Sequence, residues 1–254
     1  MNSIIAILGD QLNYNISSLK NYDKAKDIIL MCEVFEECST PKHHKKKIAF
    51  TLSSMRHFAD ELKKSGFNIL YVKIDDQENT NSFKSEILRC CKKYSISKVT
   101  VTHPGEYRVL QSLNSLTKEG INLHIIEDDR FLCSIGEFRD FAKGKKSLLM
   151  ESFYRQMRIK YDILMDGKKP IGGRWNYDSD NRKPPIKGLK IPNYYQNQPD
   201  EITKTVMALV NDKFSNHFGD MEPFYFAVNR NQAISSLRKF IHERLEDFGA
   251  YQDA

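Results

Sequence analysis

The stretch that most limits what this chain can fold into is Ile4 to Leu12, IIAILGDQL. Its apolar residues run unbroken to Leu8 before Gly9 and Asp10 oblige the chain to turn. An apolar run this short reads as a strand covered on both faces, the kind that lies inside a parallel sheet. In open α/β sheets, ligands bind in the crevice outside the carboxyl ends of such strands. The loop Gly9, Asp10 and Gln11 is therefore the first place to look for a site.

Similar runs recur with helical segments between them. Ser17 to Lys26 is polar and reads as a short helix with a turn, and Asp27 opens DIILMCEVFEE, a second strand that ends in Glu33, Glu36 and Glu37. Ile48, Leu52, Met55, Phe58, Ala59 and Leu62 then recur at helical spacing until Gly66 stops the helix. Phe67 to Ile74 is the third strand, Ser82 to Tyr94 an amphipathic helix, Lys98 to Thr102 the fourth strand and Ile121 to Ile126 the fifth. The loop His103, Pro104, Gly105 and Glu106 joins the fourth strand to a helix through Leu116. Strands alternating with helices on short loops predict an α/β fold with a parallel, doubly wound sheet. Right-handed crossovers leave few topologies, and order 3-2-1-4-5, with the first strand central, is the expected one.

The second half differs. Ser134 to Tyr161 reads as two helices packed on the sheet, and Met165 to Pro185 is a turn-rich segment that carries Trp175, Tyr177, Lys168, Lys169, Arg174, Arg182 and Lys183. Basic residues interleaved with aromatics suit a phosphate backbone with stacked bases, and they suit equally a strap that docks Trp175 into a groove. Ile186 to Pro199 reads as extended, and helices begin at Asp200 and Asn229 as N-caps. The expected organisation is an α/β domain over 1–164, an interdomain loop over 165–199 and a helical segment over 200–254.

Charge and cysteine content narrow the function classes. The net charge of +6 permits a nucleic-acid surface without requiring one. No apolar run approaches the roughly 18 residues of a membrane span, and MNSIIAIL lacks a basic leader, so a cytoplasmic protein with no membrane partner is expected. Cys32, Cys38, Cys90, Cys91 and Cys133 show no CxxC spacing and read as reduced structural thiols. A metal set of Cys32, Cys38, His43 and His44 matches no common zinc pattern. The absence of GxSxG, HExxH and a P-loop leaves no hydrolase, metalloprotease or nucleotide-triphosphatase signature. A nucleotide-binding module would suit the sheet, but GxGxxG is missing too.

ILGDQL, EVFEE with KHHKKKIAFTLSSMRHFA, HPGEYRVL, EDDRFL, FYRQMR, LMDGKKPIGGRWNYDSDNRKPP, HFGD and FGAYQDA together resemble the deoxyribodipyrimidine photolyase-related proteins. This is the bacterial branch of the cryptochrome/photolyase family similar to iron-sulfur (6-4) photolyases and cryptochrome B. The resemblance covers nearly the whole chain, and GGRWNYDSDNRKPP is its most specific part.

The resemblance implies an N-terminal domain that binds an antenna chromophore, 6,7-dimethyl-8-ribityllumazine, which passes excitation to FAD. FAD, a cysteine-ligated [4Fe-4S] cluster and most of the contact with damaged DNA belong to an all-helical domain of which this chain carries only the start. None of the five cysteines is carried over as a cluster ligand. On that reading the chain is a truncated form or a natural fragment, inactive alone in either DNA repair or light sensing. Its partners are the missing helical domain and, weakly, damaged DNA, with self-association through faces left bare. A lumazine needs apolar walls, backbone donors and carboxylates that accept from its polyol. The expected cofactor-binding residues are Gly9, Asp10, Gln11, Glu33, Phe35, Glu36, Glu37, Lys47 and Ile48, and the expected DNA-binding residues are Arg174, Trp175, Asn181, Arg182 and Lys183. The plainer role for Glu36 and Glu37 is to favour the dipole of the long helix that follows. A nucleotide-binding module, or a nucleic-acid-binding module without light chemistry, is the alternative.

Overall fold

A computed structural model describes residues 2–181, 187–188, 193 and 195–248. It divides into two compact units, one of residues 1–129 with 196–233, the other of 130–195 with 234–254.

The first unit is built on a five-stranded parallel sheet: β1 (Ser3–Ala6), β2 (Asp27–Cys32), β3 (Ile69–Val72), β4 (Lys98–Thr102) and β5 (Asn122–Ile126), in the order β3-β2-β1-β4-β5. β1 is central as expected, with Ile4 opposite both Ile28 and Val99. The period of two along each strand separates two cores. Ile5, Ile7, Ile29 and Met31 point to one face, where α2 (Lys45–Lys64) and α8 (Glu201–Lys213) cover them. Ile4, Ala6, Leu8, Ile28, Leu30 and Cys32 point to the other, under α3 (Phe83–Tyr94) and α4 (Tyr107–Asn114). Burial on both faces explains why the strand sequences are apolar throughout instead of alternating.

Two local readings need correction. EVFEE does not continue the second strand. The ladder stops at Cys32, and Phe35–Ser39 forms a short helix, α1, with Glu36 and Glu37 in its first turn, so these carboxylates face their own helix terminus and not that of α2. Ser17 to Lys26 holds only a 3-10 turn at Ser17–Leu19. Segment 200–233 lies in the first unit, where Val206, Met207, Val210 and Phe214 complete the core beside Ile48, Leu52 and Met55. Asp200 caps α8 by accepting from the Thr203 N–H, and His57 Nε2 on α2 stands 2.8 Å from the same carboxylate without the alignment of a hydrogen bond.

In the second unit, α5 (Ile135–Ala142) and α6 (Met150–Tyr161) close on one another through Phe138, Phe141 and Phe153. A hairpin of β6 (Met165–Asp166) and β7 (Lys169–Pro170) follows, then α7 (Asp178–Asn181). α9 (Arg230–Glu243) starts from Asn229, which accepts from the Gln232 N–H. Among the described residues no helix is long and apolar enough to cross a membrane.

Candidate functional site

At the carboxyl edge of β1, β2 and β4 lies a cavity of about 340 Å³. Gly9 and Asp10 close it from the loop after β1, and Glu33 and Val34 from the end of β2. Glu37 and Cys38 of α1, Lys47, Ile48, Thr51, Leu52 and Met55 of α2, and Pro104, Gly105, Glu106 and Val109 around the start of α4 also line it. The sheet order accounts for this convergence, because neighbouring parallel strands deliver successive loops to one edge. Space beside Gly9 is tight: a Cβ would stand 3.2 Å from both Met55 Sδ and Thr51 Cγ2, so those side chains would have to give by a few tenths of an ångström.

The expected residues sort into two groups. Gly9, Asp10, Glu33, Glu37, Lys47 and Ile48 line the cavity; Gln11, Phe35 and Glu36 do not. Gln11 is fully buried, its Oε1 accepting from the Leu8 N–H and its Nε2 donating to the Thr102 carbonyl, so it pins the loop after β1 to the end of β4. Phe35 stacks on Phe214 with ring centres 5.2 Å apart. Glu36 stands 3.6 Å from Arg108.

Glu33 borders the cavity, yet its oxygens are already engaged. Oε1 accepts from Arg56 Nε at 2.7 Å and from the Tyr71 hydroxyl at 2.6 Å, and Oε2 from Arg56 Nη2 at 3.0 Å and the Ile74 N–H at 2.9 Å. Its place is that of a buried brace holding α2 against β2 and β3. Arg108, on the first turn of α4, gathers a second set: 2.8 Å to Glu37, 3.2 Å to Glu106 and 3.6 Å to Glu36. This guanidinium ties α1 to the start of α4 at the cavity rim. Neither arginine was selected by sequence reasoning. The topology contained a signal for Glu106 and Arg108, since the fourth strand was expected beside the first and its loop had to open at the same edge.

Electrostatics follow from burial. Desolvation raises the Glu37 carboxyl above the usual glutamate range, against the pull of Arg108. Burial, helped by the charges of Glu33 and Glu37, pushes the Cys38 thiol up to about 12, and burial also raises Cys32 strongly. The thiols in the wall are thus protonated at neutral pH and behave as small apolar groups. Burial, with the charge of Lys47, lowers His43 from its ordinary value, which leaves a neutral imidazole at pH 7. Among the described residues no group of three or more His, Cys, Asp or Glu side chains is arranged to hold a metal ion. His44, from the Cys32, Cys38, His43 and His44 set, uses Nδ1 to accept from the Lys46 N–H.

The basic segment is arranged differently. Arg174 is exposed, its guanidinium 4.4 Å from the Tyr177 ring centre. Trp175 is half-buried against the guanidinium groups of Arg155 and Arg158, at 5.5 and 5.3 Å. Arg158 is itself buried and donates to the Ile163 and Leu164 carbonyls. The side chain of Asn181, and Arg182 and Lys183 altogether, lie outside the described residues. In sequence, 130–195 holds 15 Lys and Arg against seven Asp and Glu, so the basic excess of the chain is concentrated there.

An open parallel sheet with a lined cavity at the carboxyl ends of its central strands defines a doubly wound α/β domain. The family model described as deoxyribodipyrimidine photo-lyase-related protein matches residues 5–226, and the chain belongs to that family. It is 47% identical over 255 residues to a (6-4) photolyase of Agrobacterium fabrum, an alignment that takes in 100% of this chain and 50% of that protein. An uncharacterised protein of Acanthamoeba polyphaga mimivirus is 28% identical over 143 residues, covering 54% of this chain and 70% of the relative. The chain thus spans half the length of the photolyase that it matches.

Proposed function

We propose that this chain is the antenna-binding part of a photolyase-like flavoprotein for light-driven DNA repair or blue-light sensing, and that its cavity receives 6,7-dimethyl-8-ribityllumazine. The observation that carries the reading is the cavity itself, whose volume of about 340 Å³ falls at the small end of ligand sites. Its walls of Val34, Ile48, Leu52, Met55 and Val109 suit a flat heteroaromatic ring, and the carboxylates of Asp10, Glu37 and Glu106 suit hydroxyl donors. The apolar walls and acceptor carboxylates of the cavity therefore fit the ring and polyol of the lumazine. When bound, that group supplies absorption of near-ultraviolet and violet light. The protein's part is to exclude water from the ring, hold it rigidly and accept hydrogen bonds from the polyol.

FAD and the [4Fe-4S] cluster belong, in this reading, to the half of the photolyase that the chain does not span. Four of the five cysteines do not fit a cluster: Cys32, Cys38, Cys90 and Cys91 are buried in the sheet cores, and burial raises all four thiols. Damaged DNA is the proposed partner of the second unit, through Arg174 and the surrounding basic segment, with weak and salt-dependent binding by this chain alone.

The test is a fluorescence titration of the purified chain with 6,7-dimethyl-8-ribityllumazine. Saturable one-to-one binding is expected, and Gly9→Val, which drives a branched side chain toward Met55 and Thr51, should weaken it at least about tenfold through overpacking of the site. A folded chain with no affinity for the lumazine overturns the reading, and the nucleotide-binding or nucleic-acid-binding alternatives then take its place.

A further inference from the structure

We infer that His217, Phe218 and Gly219, the turn that follows α8, hold the α2 side of the cavity in shape, with His217 and Gly219 as positioning residues that act through His43 and His44. The inference rests on the reading of the cavity as a ribityllumazine site and goes beyond it. Affinity for the guest is made to depend on a turn remote in sequence from the sheet and its crossover helices.

HFGD was among the stretches that carry the family resemblance, and the cavity wall does not contain it. Its contacts show what it does. Cys38, His43, Lys47 and Ile48 line the cavity, but the connection 40–44 between α1 and α2 belongs to no helix or sheet strand and needs an outside support. His217 supplies one. It is buried, and its Nδ1 donates to the His43 carbonyl at 2.9 Å, since a carbonyl can only accept. Its Nε2 lies 3.4 Å from Ser39 Oγ, so one imidazole spans both ends of the connection. Phe218 supplies the next. Its carbonyl accepts from the Lys45 N–H at 3.1 Å, one of the first-turn donors that have no partner within α2. The turn is itself fixed by the core, with Phe214 and Met221 buried on either side and the His217 N–H donating to the Phe214 carbonyl at 2.9 Å.

Gly219 makes the closest approach. Its φ of +86° lies in the left-handed region, and a Cβ there would overlap the imidazole of His44 at Nε2, Cδ2 and Cε1. That ring cannot simply swing aside. His44 is the N-cap of α2, its Nδ1 accepting from the Lys46 N–H at 3.0 Å, and its ring meets the Phe218 ring edge-on with centres 5.4 Å apart. A side chain at position 219 would expel the imidazole, break the cap and shift the first turn of α2, which carries Lys47 into the wall and leads to Ile48. The consequence reaches the cavity without any contact between Gly219 and the guest.

The experiment is a fluorescence titration of the whole chain and its variants with 6,7-dimethyl-8-ribityllumazine, with urea unfolding of each variant in parallel. Gly219→Ala should weaken binding at least about tenfold, the size of effect that overpacking produces. His44→Ala should weaken it too, and the double variant should bind no more weakly than His44→Ala, because the ring that clashes is already gone. Its urea midpoint should still fall below that of His44→Ala, since the left-handed backbone at 219 disfavours alanine whatever stands beside it. Affinity and stability thus separate. His217→Asn keeps an N–H donor for the His43 carbonyl and should recover most of the affinity that His217→Ala loses. Native affinity in Gly219→Ala, or affinity losses that simply add in the double variant, overturn the inference and leave the lumazine reading in place. His217→Asn binding as weakly as His217→Ala also overturns it, and that pair decides the matter if the Gly219 variants do not fold. A native chain that binds no lumazine removes the lumazine reading and this inference together.

Discussion

The cavity at the sheet edge and the basic segment of the second unit were both singled out by their sequences, yet they are built by opposite means. Around the cavity the two braces are placed by long-range contacts: Glu33 reaches Arg56 across 23 positions, and Arg108 reaches Glu37 across 71. In the basic segment the visible pairings are nearer in sequence, as with Arg174 over Tyr177 and Arg158 beneath Trp175. A site made from distant strands fixes its geometry as a consequence of folding. A site made from one segment keeps freedom to adjust to its partner. The first arrangement suits a small rigid guest, and the second suits an extended polyanion.

The sharpest way to break that comparison is to remove the brace. Glu33→Gln leaves Arg56 buried without its counter-ion, and breaking a buried pair from one side costs about 3–5 kcal/mol. Urea unfolding of the first unit should show a loss of that size. A change under about 1 kcal/mol would mean that the carboxylate is no better placed than a surface ion pair. Next in size is Asp200→Ala, which removes the N-cap of α8 and the partner of His57, for about 1–2 kcal/mol. Lumazine affinity should survive it, because Asp200 is absent from the cavity wall. A parallel loss of affinity would show that α8 holds the cavity in shape.

Glu37 sharpens the comparison through pH. Burial raises its carboxyl in the fold, with Arg108 opposing, so the folded state takes up a proton more readily than the unfolded chain. The resulting contribution to stability is fully present below the unfolded value near 4.3 and is lost as pH rises through the folded one. Ligand binding runs the other way. A protonated Glu37 no longer accepts as a carboxylate, so lumazine affinity should fall as pH is lowered from 7 toward 5. Glu37→Gln should flatten the profile, and an unchanged slope in that variant would assign the titration to another group.

The sheet could be read from the sequence because each of its strands is a short apolar run bounded by turn residues, and because right-handed crossovers leave few orders for them. That order pointed to the loop of Gly9 and Asp10, whereas Glu37, Lys47 and Ile48 were expected there with the help of the family resemblance and the ligand it implies. α1 could not be read, since FEECS has neither a capping side chain nor a helical apolar stripe, and it is tertiary contact, such as Phe35 on Phe214, that folds it. Gln11 illustrates a different limit. Its position beside Asp10 suggested a ligand contact, but a buried amide must find partners for its own polar atoms, and the nearest unpaired groups were the Leu8 N–H and the Thr102 carbonyl. Arg56 and Arg108 left no trace in sequence spacing, because a counter-ion is chosen by proximity in space.

The smallest expected effect belongs to the basic segment. If Arg174 meets a DNA phosphate, Arg174→Ala should weaken binding of a duplex by a similar factor for damaged and undamaged sequences, because a phosphate contact carries no base information. It should also reduce the slope of log affinity against log salt by about 0.9, the release of one counter-ion from duplex DNA. Trp175→Ala is the useful contrast. Trp175 is half-buried against Arg155 and Arg158, so its removal frees two guanidinium groups from an aromatic neighbour while deleting no charge. The salt slope should therefore stay as it is in the native chain even where affinity shifts. If the Trp175 variant changed the slope and the Arg174 variant did not, the strap would be positioning the charges of α6 for DNA, and the contact would belong to Arg155 and Arg158 instead of Arg174.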